Sequence, residues 1–165
     1  MTSKNRPPRE GILRAVRAPA DDRFTAPLYT IREAARYLGV SPSRFGDWVR
    51  GRGPSEPIIT VIPSERRREA EIPFVGLTEG LVVAAFRRAG ASLQYIRKAL
   101  KRLEEEIGVE HAFASRRLYT HGAKVLYNYA EEYEEGKLLV EVVSRNYVFE
   151  PVVEGFLKLI SYGED

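Results

Sequence analysis

The segment at residues 29–53, YTIREAARYLGVSPSRFGDWVRGRG, constrains the fold most, because it carries start and stop signals for two short helices. Thr30 and Glu33 have the spacing of a capping box, in which the hydroxyl and the carboxylate each satisfy a backbone N–H group at the helix start. Gly39 suits the position after the last turn, since glycine accepts a left-handed conformation without steric cost. The apolar residues between these signals fall on one helical face: Ile31, Ala34, Ala35 and Leu38.

The second helix of this segment is predicted to begin after Ser41. Serine caps helices well, and Pro42 suits the first turn because its missing N–H group is harmless there. Gly51 or Gly53 is predicted to end the helix. Its apolar stripe, which we expect to be buried, consists of Phe45, Trp48 and Val49.

Two short helices joined by a glycine-containing turn form the layout of a helix-turn-helix, whose second helix enters the major groove of DNA. Arginine can bond guanine bidentately, serine can bond several base edges, and a carboxylate can accept from cytosine. The sequence therefore predicts DNA contact by the polar residues opposite the apolar stripe, which are Ser43, Arg44, Asp47 and Arg50. The alternative is an ordinary amphipathic helix pair with a solvated charged face.

The segment after the helix pair predicts a β hairpin. Glycines and prolines at 51–57 forbid a continued helix, and the β-branched runs Ile58–Ile62 and Ile72–Val75 flank an arginine-rich stretch. A hairpin in this place would act as a wing whose arginines lie on flanking phosphates. The residues predicted to contact DNA from this segment are Arg52, Arg66, Arg67 and Arg68. A solvated charged loop is the alternative.

Two longer helices are predicted next. Thr78 is the expected cap of the first and Gly90 its end, while Ser92 begins the second and Gly108 ends it. Between Gly80 and Leu103 these helices carry six basic residues and no acidic one: Arg87, Arg88, Arg97, Lys98, Lys101 and Arg102. We interpret this basic face as solvated first and as a second candidate for DNA contact.

The last third of the chain predicts a hairpin, a strand and an apolar segment. Residues 118–129 have the pattern of a hairpin turning at His121-Gly122, and Leu138–Val143 that of a strand. The following apolar segment needs a covering surface, either the protein's own core or another chain. Its residues predicted to bind a protein partner are Phe149, Val152, Val153, Phe156, Leu157 and Ile160.

Together these patterns predict a mainly α fold with small β hairpins, in which a winged helix-turn-helix is followed by a second small helical domain. The expected divisions are a flexible basic arm at 1–27, a DNA-binding domain at 28–76, a helical domain with a hairpin at 77–130, and an acidic, apolar partner-binding segment at 131–165. The basic front and acidic back suggest two different partners.

Composition excludes several function classes. The chain has no cysteine, which rules out disulfides, thiolate metal sites and a thiol nucleophile, and fits a reducing cytoplasm. Its histidines are His111 and His121, without a metal-binding motif, so we predict no catalytic residue, no metal and no cofactor. No apolar run is long enough to cross a bilayer and the N-terminus lacks a signal-peptide core, so we expect a cytoplasmic protein without a membrane partner.

Two stretches carry a family resemblance. YTIREAARYLGVSPSRFGDWVR resembles the winged helix-turn-helix of the MerR and excisionase type, including the aromatic Trp48. FVGLTEGLVVAAFRRAGASLQYIRKAL, with the later SRRLYTHGAKVLYNY, resembles the domain of unknown function found in VapB-type antitoxins. The likeness covers about Tyr29 to Tyr129. In the family, the hairpin often has an acidic residue before the glycine, whereas this chain has His121 there. We therefore assign no function to His121.

The resemblance implies an antitoxin of a type II toxin–antitoxin system. Such a protein neutralises a PIN-domain ribonuclease toxin encoded beside it and binds operator DNA, usually as a homodimer, to autoregulate its operon. Two alternatives remain: a MerR-like transcriptional regulator without a toxin partner, whose residues 78–165 dimerise or sense a small molecule, and an excisionase-like architectural protein that bends DNA.

Overall fold

A computed structural model of the chain describes residues 21–66, 69–115, 118, 125–126 and 134–144, and these residues are mainly helical. The helices are α1 (Asp22–Thr25), α2 (Ile31–Leu38), α3 (Pro42–Arg50), α4 (Phe74–Arg88), α5 (Leu93–Ile107) and α6 (Glu134–Ser144), with a short 3-10 helix, η1 (Ala112–Ala114), between α5 and α6. The fold is therefore a helical assembly in which α2 and α3 form the predicted helix-turn-helix.

The signals that define α2 and α3 are confirmed. The backbone N–H of Thr30 donates to Glu33 at 2.8 Å, and the N–H of Glu33 donates to the Thr30 hydroxyl at 3.2 Å, which completes the capping box. Gly39 adopts the left-handed conformation with φ of 65°. Ser41 accepts from the N–H of Arg44, and Pro42 occupies the first turn of α3. Local chemistry thus fixes both ends of the turn.

Helix α3 buries the apolar stripe that its sequence predicts. Phe45 and Trp48 are fully buried, and their rings meet edge to face with centroids 6.0 Å apart. Val49 completes the stripe. The carbonyl of Trp48 accepts from the N–H of Ile58 at 2.9 Å, so the chain leaving α3 returns to the same core.

Helix α4 lies at the centre of the described residues, where it packs against α1, α2, α5, α6 and η1. It begins at Phe74 after Pro73, so the predicted start at Thr78 is wrong; Thr78 lies inside the helix and its hydroxyl donates to the Phe74 carbonyl. The predicted division at residue 76 also falls inside α4. A helix that contacts neighbours on several sides is buried on several faces, which explains its apolar composition.

Two glycines let α4 approach the helix-turn-helix closely. A Cβ atom on Gly80 would lie 2.7 Å from Cδ1 of Leu38 and 3.1 Å from the ring of Phe45. A Cβ atom on Gly76 would lie only 2.3 Å from the backbone oxygen of Thr60. The absence of a side chain at these positions therefore sets the distance of α4 from the helix-turn-helix and from the loop after α3.

The two strands predicted beside the helix pair are not formed. Between residues 51 and 75, apart from the undescribed 67–68, the pairing consists of isolated bridges, one joining Tyr29 to Ile72. The physical reason is burial: the consecutive residues Ile58 and Ile59 both enter the core, which is incompatible with an alternating strand. Residues 74–75 belong to α4. The connection is a packed loop in which Ile62 donates to the Glu71 carbonyl at 2.8 Å.

The later strand prediction at Leu138–Val143 is also wrong, because these residues lie in α6. Leu139, Val142 and Val143 are buried at helical spacing, so packing selects a helix for an aliphatic run that suits either structure. Of the hairpin predicted at 118–129, the described residues are 118 and 125–126, and the latter two are helical. The His121-Gly122 turn lies outside the described residues.

The last residues of the predicted arm at 1–27 form a short helix, α1. Residues 1–20 lie outside the described part, but Asp21 caps α1 and its carboxylate pairs with Arg23. The ring of Phe24 lies 5.4 Å from that of His111. Helix α1 therefore packs against the second half of the chain.

A buried polar cluster joins the two halves. Glu79 of α4, which is 5% exposed, accepts from the backbone N–H of Thr60 at 2.7 Å and from its hydroxyl at 3.0 Å. Nδ1 of His111 lies 2.9 Å from the same carboxylate and 2.9 Å from the Thr60 hydroxyl. In a catalytic triad, one ring nitrogen of the histidine faces the hydroxyl and the other faces the carboxylate. Here the hydroxyl and the carboxylate both lie beside Nδ1, so the cluster does not have the geometry of a triad. Its role is to bind three separate segments together.

The cluster shifts two pKa values upward. The hydrogen bond from His111 to Glu79 raises the pKa of the imidazole, against the effect of burial, with the charges of Glu79, Glu110 and Glu104 adding to the rise. Burial raises the pKa of the Glu104 carboxyl, and the charge of Glu79 acts in the same direction. The folded protein therefore holds protons here more tightly than the unfolded chain does.

Replacement of Gly76 by alanine should lower the free energy of unfolding by about 1–3 kcal/mol, because the new methyl group meets a backbone oxygen that cannot turn away. Gly46→Ala is the matched control: it is also inside a helix, but its Cβ meets only the flexible Arg50 guanidinium, at 3.3 Å. This control should be neutral or gain up to about 1 kcal/mol from helix propensity. Urea denaturation measures both, and equal stability of Gly76→Ala and the parent chain would contradict the packing described.

The stability should fall as pH rises through the raised pKa of His111. The stabilisation from its ion pair is complete below the ordinary value of 6.5 and is lost above the raised one. His111→Gln should therefore flatten the dependence of the unfolding free energy between about pH 6 and pH 8. An unchanged slope in His111→Gln would refute the assignment.

Candidate nucleic-acid interface

The outward face of α3 is set by the burial of its opposite side. Ser43, Arg44 and Arg50 are exposed, and Asp47 is half-buried beside them. Arg44 follows the Ser41 cap in the first turn and forms no ion pair with any described residue. The four predicted contact residues of the helix thus share one accessible surface, as a base-reading face requires.

Arg50 lies at the end of α3 with its guanidinium held by a carboxylate from another segment. Its Nη2 lies 3.2 Å from Oε1 of Glu71, with Arg50 63% exposed and Glu71 22% exposed. The bare Cα of Gly46 leaves room for Nη1 of the same guanidinium, which would be 3.3 Å from a Cβ there. The charge of Arg50 is therefore positioned but remains available to solvent.

The other two described arginines predicted to contact DNA are paired more loosely. Nη1 of Arg52 lies 3.8 Å from Oδ2 of Asp47, and Nη1 of Arg66 lies 3.5 Å from Oε1 of Glu69. Both arginines are more than four-fifths exposed. Such exposed pairs contribute little to stability and exchange readily for another anion. Arg52 and Arg66 are therefore suited to phosphate contacts from the loop that follows α3.

Some predicted site residues cannot be placed. Arg67 and Arg68 of the loop lie outside the described residues, next to Arg66. The predicted partner-binding residues, which also lie outside the described part, are Phe149, Val152, Val153, Phe156, Leu157 and Ile160. Their proposed roles therefore rest on the sequence.

The second basic face, on α4 and α5, is largely used within the protein. Arg88 donates to the Leu38 carbonyl at 2.6 Å and so caps the C-terminus of α2, while Arg87 donates to the Ala91 carbonyl. Arg97 donates to the Glu56 carbonyl at 2.8 Å and braces the loop after α3. Arg102 pairs with Glu106. These contacts make the solvated or structural interpretation the better one for this face.

The sequence does not predict that Glu71 pairs with Arg50. Glu71 lies in an irregular segment 21 positions from Arg50, and its position beside α3 depends on backbone pairing between Tyr29 and Ile72. No local pattern signals a contact over that separation. The charge of the residue and its place two positions before Pro73 are visible in the sequence, but its partner is not.

The described residues contain no cluster of three or more histidine, cysteine, aspartate or glutamate side chains suited to a metal ion. Nor does any helix among them combine the length and apolarity needed to cross a membrane.

Comparison with known proteins gives three findings. Residues 27–100 match a family model described as "Putative DNA-binding HTH domain". The "Putative antitoxin VapB45" of Mycobacterium tuberculosis is 41% identical, in an alignment covering 87% of this chain and 66% of that protein. The chain thus spans just under two thirds of the length of this curated relative. The crystal structure of Rv2018 from Mycobacterium tuberculosis is 38% identical with a TM-score of 0.63, over 87% of this chain and 68% of that one.

Proposed function

The chain belongs to the family of the mycobacterial relatives named above. Because one of them carries the name of an antitoxin, we propose that this chain is a DNA-binding antitoxin of a type II toxin–antitoxin system. The observation that carries the DNA-binding part is the geometry of α3, which buries Phe45 and Trp48 and exposes Ser43, Arg44 and Arg50. The match of residues 27–100 to a DNA-binding helix-turn-helix supports it.

In this proposal α3 enters the major groove. Arg44 and Arg50 supply guanine contacts, Ser43 and Asp47 supply smaller polar contacts, and the loop after α3 takes the place of a MerR-like wing. Arg52 and Arg66–Arg68 neutralise phosphates beside the groove, which makes binding depend on salt concentration. The irregular loop can do this because phosphate contact requires charge in the right place and no regular strand.

The operator would be an inverted repeat bound by a homodimer, since two-fold protein symmetry matches a palindromic site. Binding there would repress the protein's own operon in the cytoplasm. Toxin binding and operator binding would affect each other reciprocally if the two sites are coupled.

The proposed protein partner is a PIN-domain ribonuclease encoded beside this gene. The segment at 145–165 follows α6 and combines apolar residues with Glu150, Glu154, Glu164 and Asp165. An acidic, apolar segment is suited to a basic-rimmed, Mg²⁺-dependent nuclease site, where it would compete with substrate and metal. In this role the chain acts as an inhibitor and is not itself an enzyme.

A MerR-like regulator without a toxin is the second candidate. The family model favours this candidate, because it matches residues 27–100, which include the helix-turn-helix, and does not extend to the residues after 100 that the antitoxin proposal uses for toxin binding. Purification of the native protein from its host separates the two, because an antitoxin carries a bound nuclease and a lone regulator does not.

Arg44→Ala should lose about 1–3 kcal/mol of binding free energy at one particular base pair, because it removes a base contact. Arg66→Ala should weaken all duplexes by a similar factor, because it removes a phosphate contact. Binding to a selected site and to its single-base-pair variants measures both effects. A uniform loss in Arg44→Ala, matching that of Arg66→Ala, would contradict base reading by α3.

A chain ending at Val148 should keep DNA binding and lose inhibition of the neighbouring nuclease. The cut lies after α6 because Leu139 and Val142 are buried in the core, and a cut near Glu135 would unfold the protein as well. Growth of cells that co-express the nuclease measures inhibition, and operator binding by the shortened chain controls for folding. Continued silencing of the nuclease by a shortened chain that binds DNA would exclude residues 149–165 as the inhibitor.

A further inference from the structure

The surface proposed to bind DNA contains a partly buried carboxylate, that of Glu71. Glu71 lies beside the end of α3, and an unpaired negative charge there would repel the phosphates of a bound duplex. Its carboxylate is partly buried and hydrogen-bonded to the Arg50 guanidinium at 3.2 Å. The other carboxylates near the candidate arginines, Asp47 and Glu69, are about twice as exposed and lie farther from their partners.

The backbone holds Glu71 in a fixed place. Its N–H donates to the Tyr29 carbonyl at 2.9 Å, and its carbonyl accepts from Ile62 at 2.8 Å. The next residue, Ile72, is fully buried and bridges to Tyr29. Glu71 is therefore anchored to the chain segments on both sides of the helix-turn-helix, which makes it a rigid support for a flexible arginine.

Arg50 keeps donors to spare in this arrangement. A guanidinium has five N–H donors in a planar fork, and the contact with Glu71 is made by Nη2. Nη1 lies beside the bare Cα of Gly46, which is buried, and the arginine side chain remains mostly exposed. A guanine edge, with two acceptors in the major groove, can be met without release of Glu71.

We propose that Glu71 is a specificity-determining positioning residue, which holds Arg50 toward a guanine edge and penalises contact of Arg50 with phosphate. This inference rests on the proposed DNA-binding function. In a matched site, Arg50 bonds the base while its pair with Glu71 persists. In a mismatched site the spare donors meet no matching base acceptors, and a move of the guanidinium to a phosphate leaves the Glu71 carboxylate unpaired beside the negative backbone, so non-specific binding is disfavoured.

The test compares the full-length parent chain with Glu71→Gln and Glu69→Gln. Each protein selects its preferred site from a randomised duplex pool, and its affinities for the parent's selected site and for an unrelated duplex are then measured over a range of salt concentrations. Both variants remove one negative charge, so a simple charge effect appears equally in both. Unfolding of each variant in urea confirms that the fold is retained.

Glu71→Gln should bind the unrelated duplex more tightly and lower the ratio of specific to non-specific affinity about tenfold. The loss of base preference should be largest at the same base pair where Arg50→Gln loses its preference. The salt dependence of Glu71→Gln on the unrelated duplex should steepen by about one phosphate contact. Glu69→Gln should tighten both duplexes alike and keep the ratio. In an Arg50→Gln background, Glu71→Gln should no longer change the ratio.

An unchanged ratio in Glu71→Gln, with the parent chain still selecting a defined site, would overturn the role of Glu71 and leave the proposed function intact. A parent chain that binds no duplex would instead overturn the proposed function. If Glu71→Gln is unfolded, Glu71→Asp takes its place: the shorter carboxylate keeps the charge but cannot hold Arg50 at the same point, so the same fall in ratio supports the inference and an unchanged ratio opposes it.

Discussion

The burial of Phe45 and Trp48 fixes the orientation of α3 in the protein. Both side chains are fully enclosed, so α3 has one rotational setting relative to the core, and the residues on its opposite side must face outward. Removal of either ring from the core would cost about 3–5 kcal/mol, far more than any surface ion pair could recover. The accessible polar face is thus a consequence of core packing.

Helix α4 supplies the other side of that packing. Gly80 allows it to lie against Leu38 and Phe45, and Arg88 reaches from it to the carbonyl at the end of α2. Glu79, the neighbour of Gly80 in α4, ties the loop after α3 to His111. The helix-turn-helix is therefore bound to the second half by apolar contacts and by a buried polar cluster.

Local chemistry was predictable from the sequence, and long-range packing was not. The caps formed by Thr30, Glu33 and Ser41 and the buried stripe of α3 follow from residues a few positions apart. The run at Leu138–Val143 suits a strand or a helix, and only its burial against the core selects the helix. The pair of Arg50 and Glu71 spans 21 positions and depends on how the loop folds back, so no spacing rule could reveal it.

Site-directed cleavage of DNA can show whether the polar face of α3 meets the duplex. The chain has no cysteine, so Ser43→Cys and Lys101→Cys each give a single attachment point for an iron–EDTA reagent, one on α3 and one on the basic face of α5. If α3 lies in the major groove, the reagent at position 43 should cleave a few base pairs of the selected site and the reagent at position 101 should cleave none. Cleavage from position 101 alone would contradict this arrangement and place the DNA on the other face of the protein.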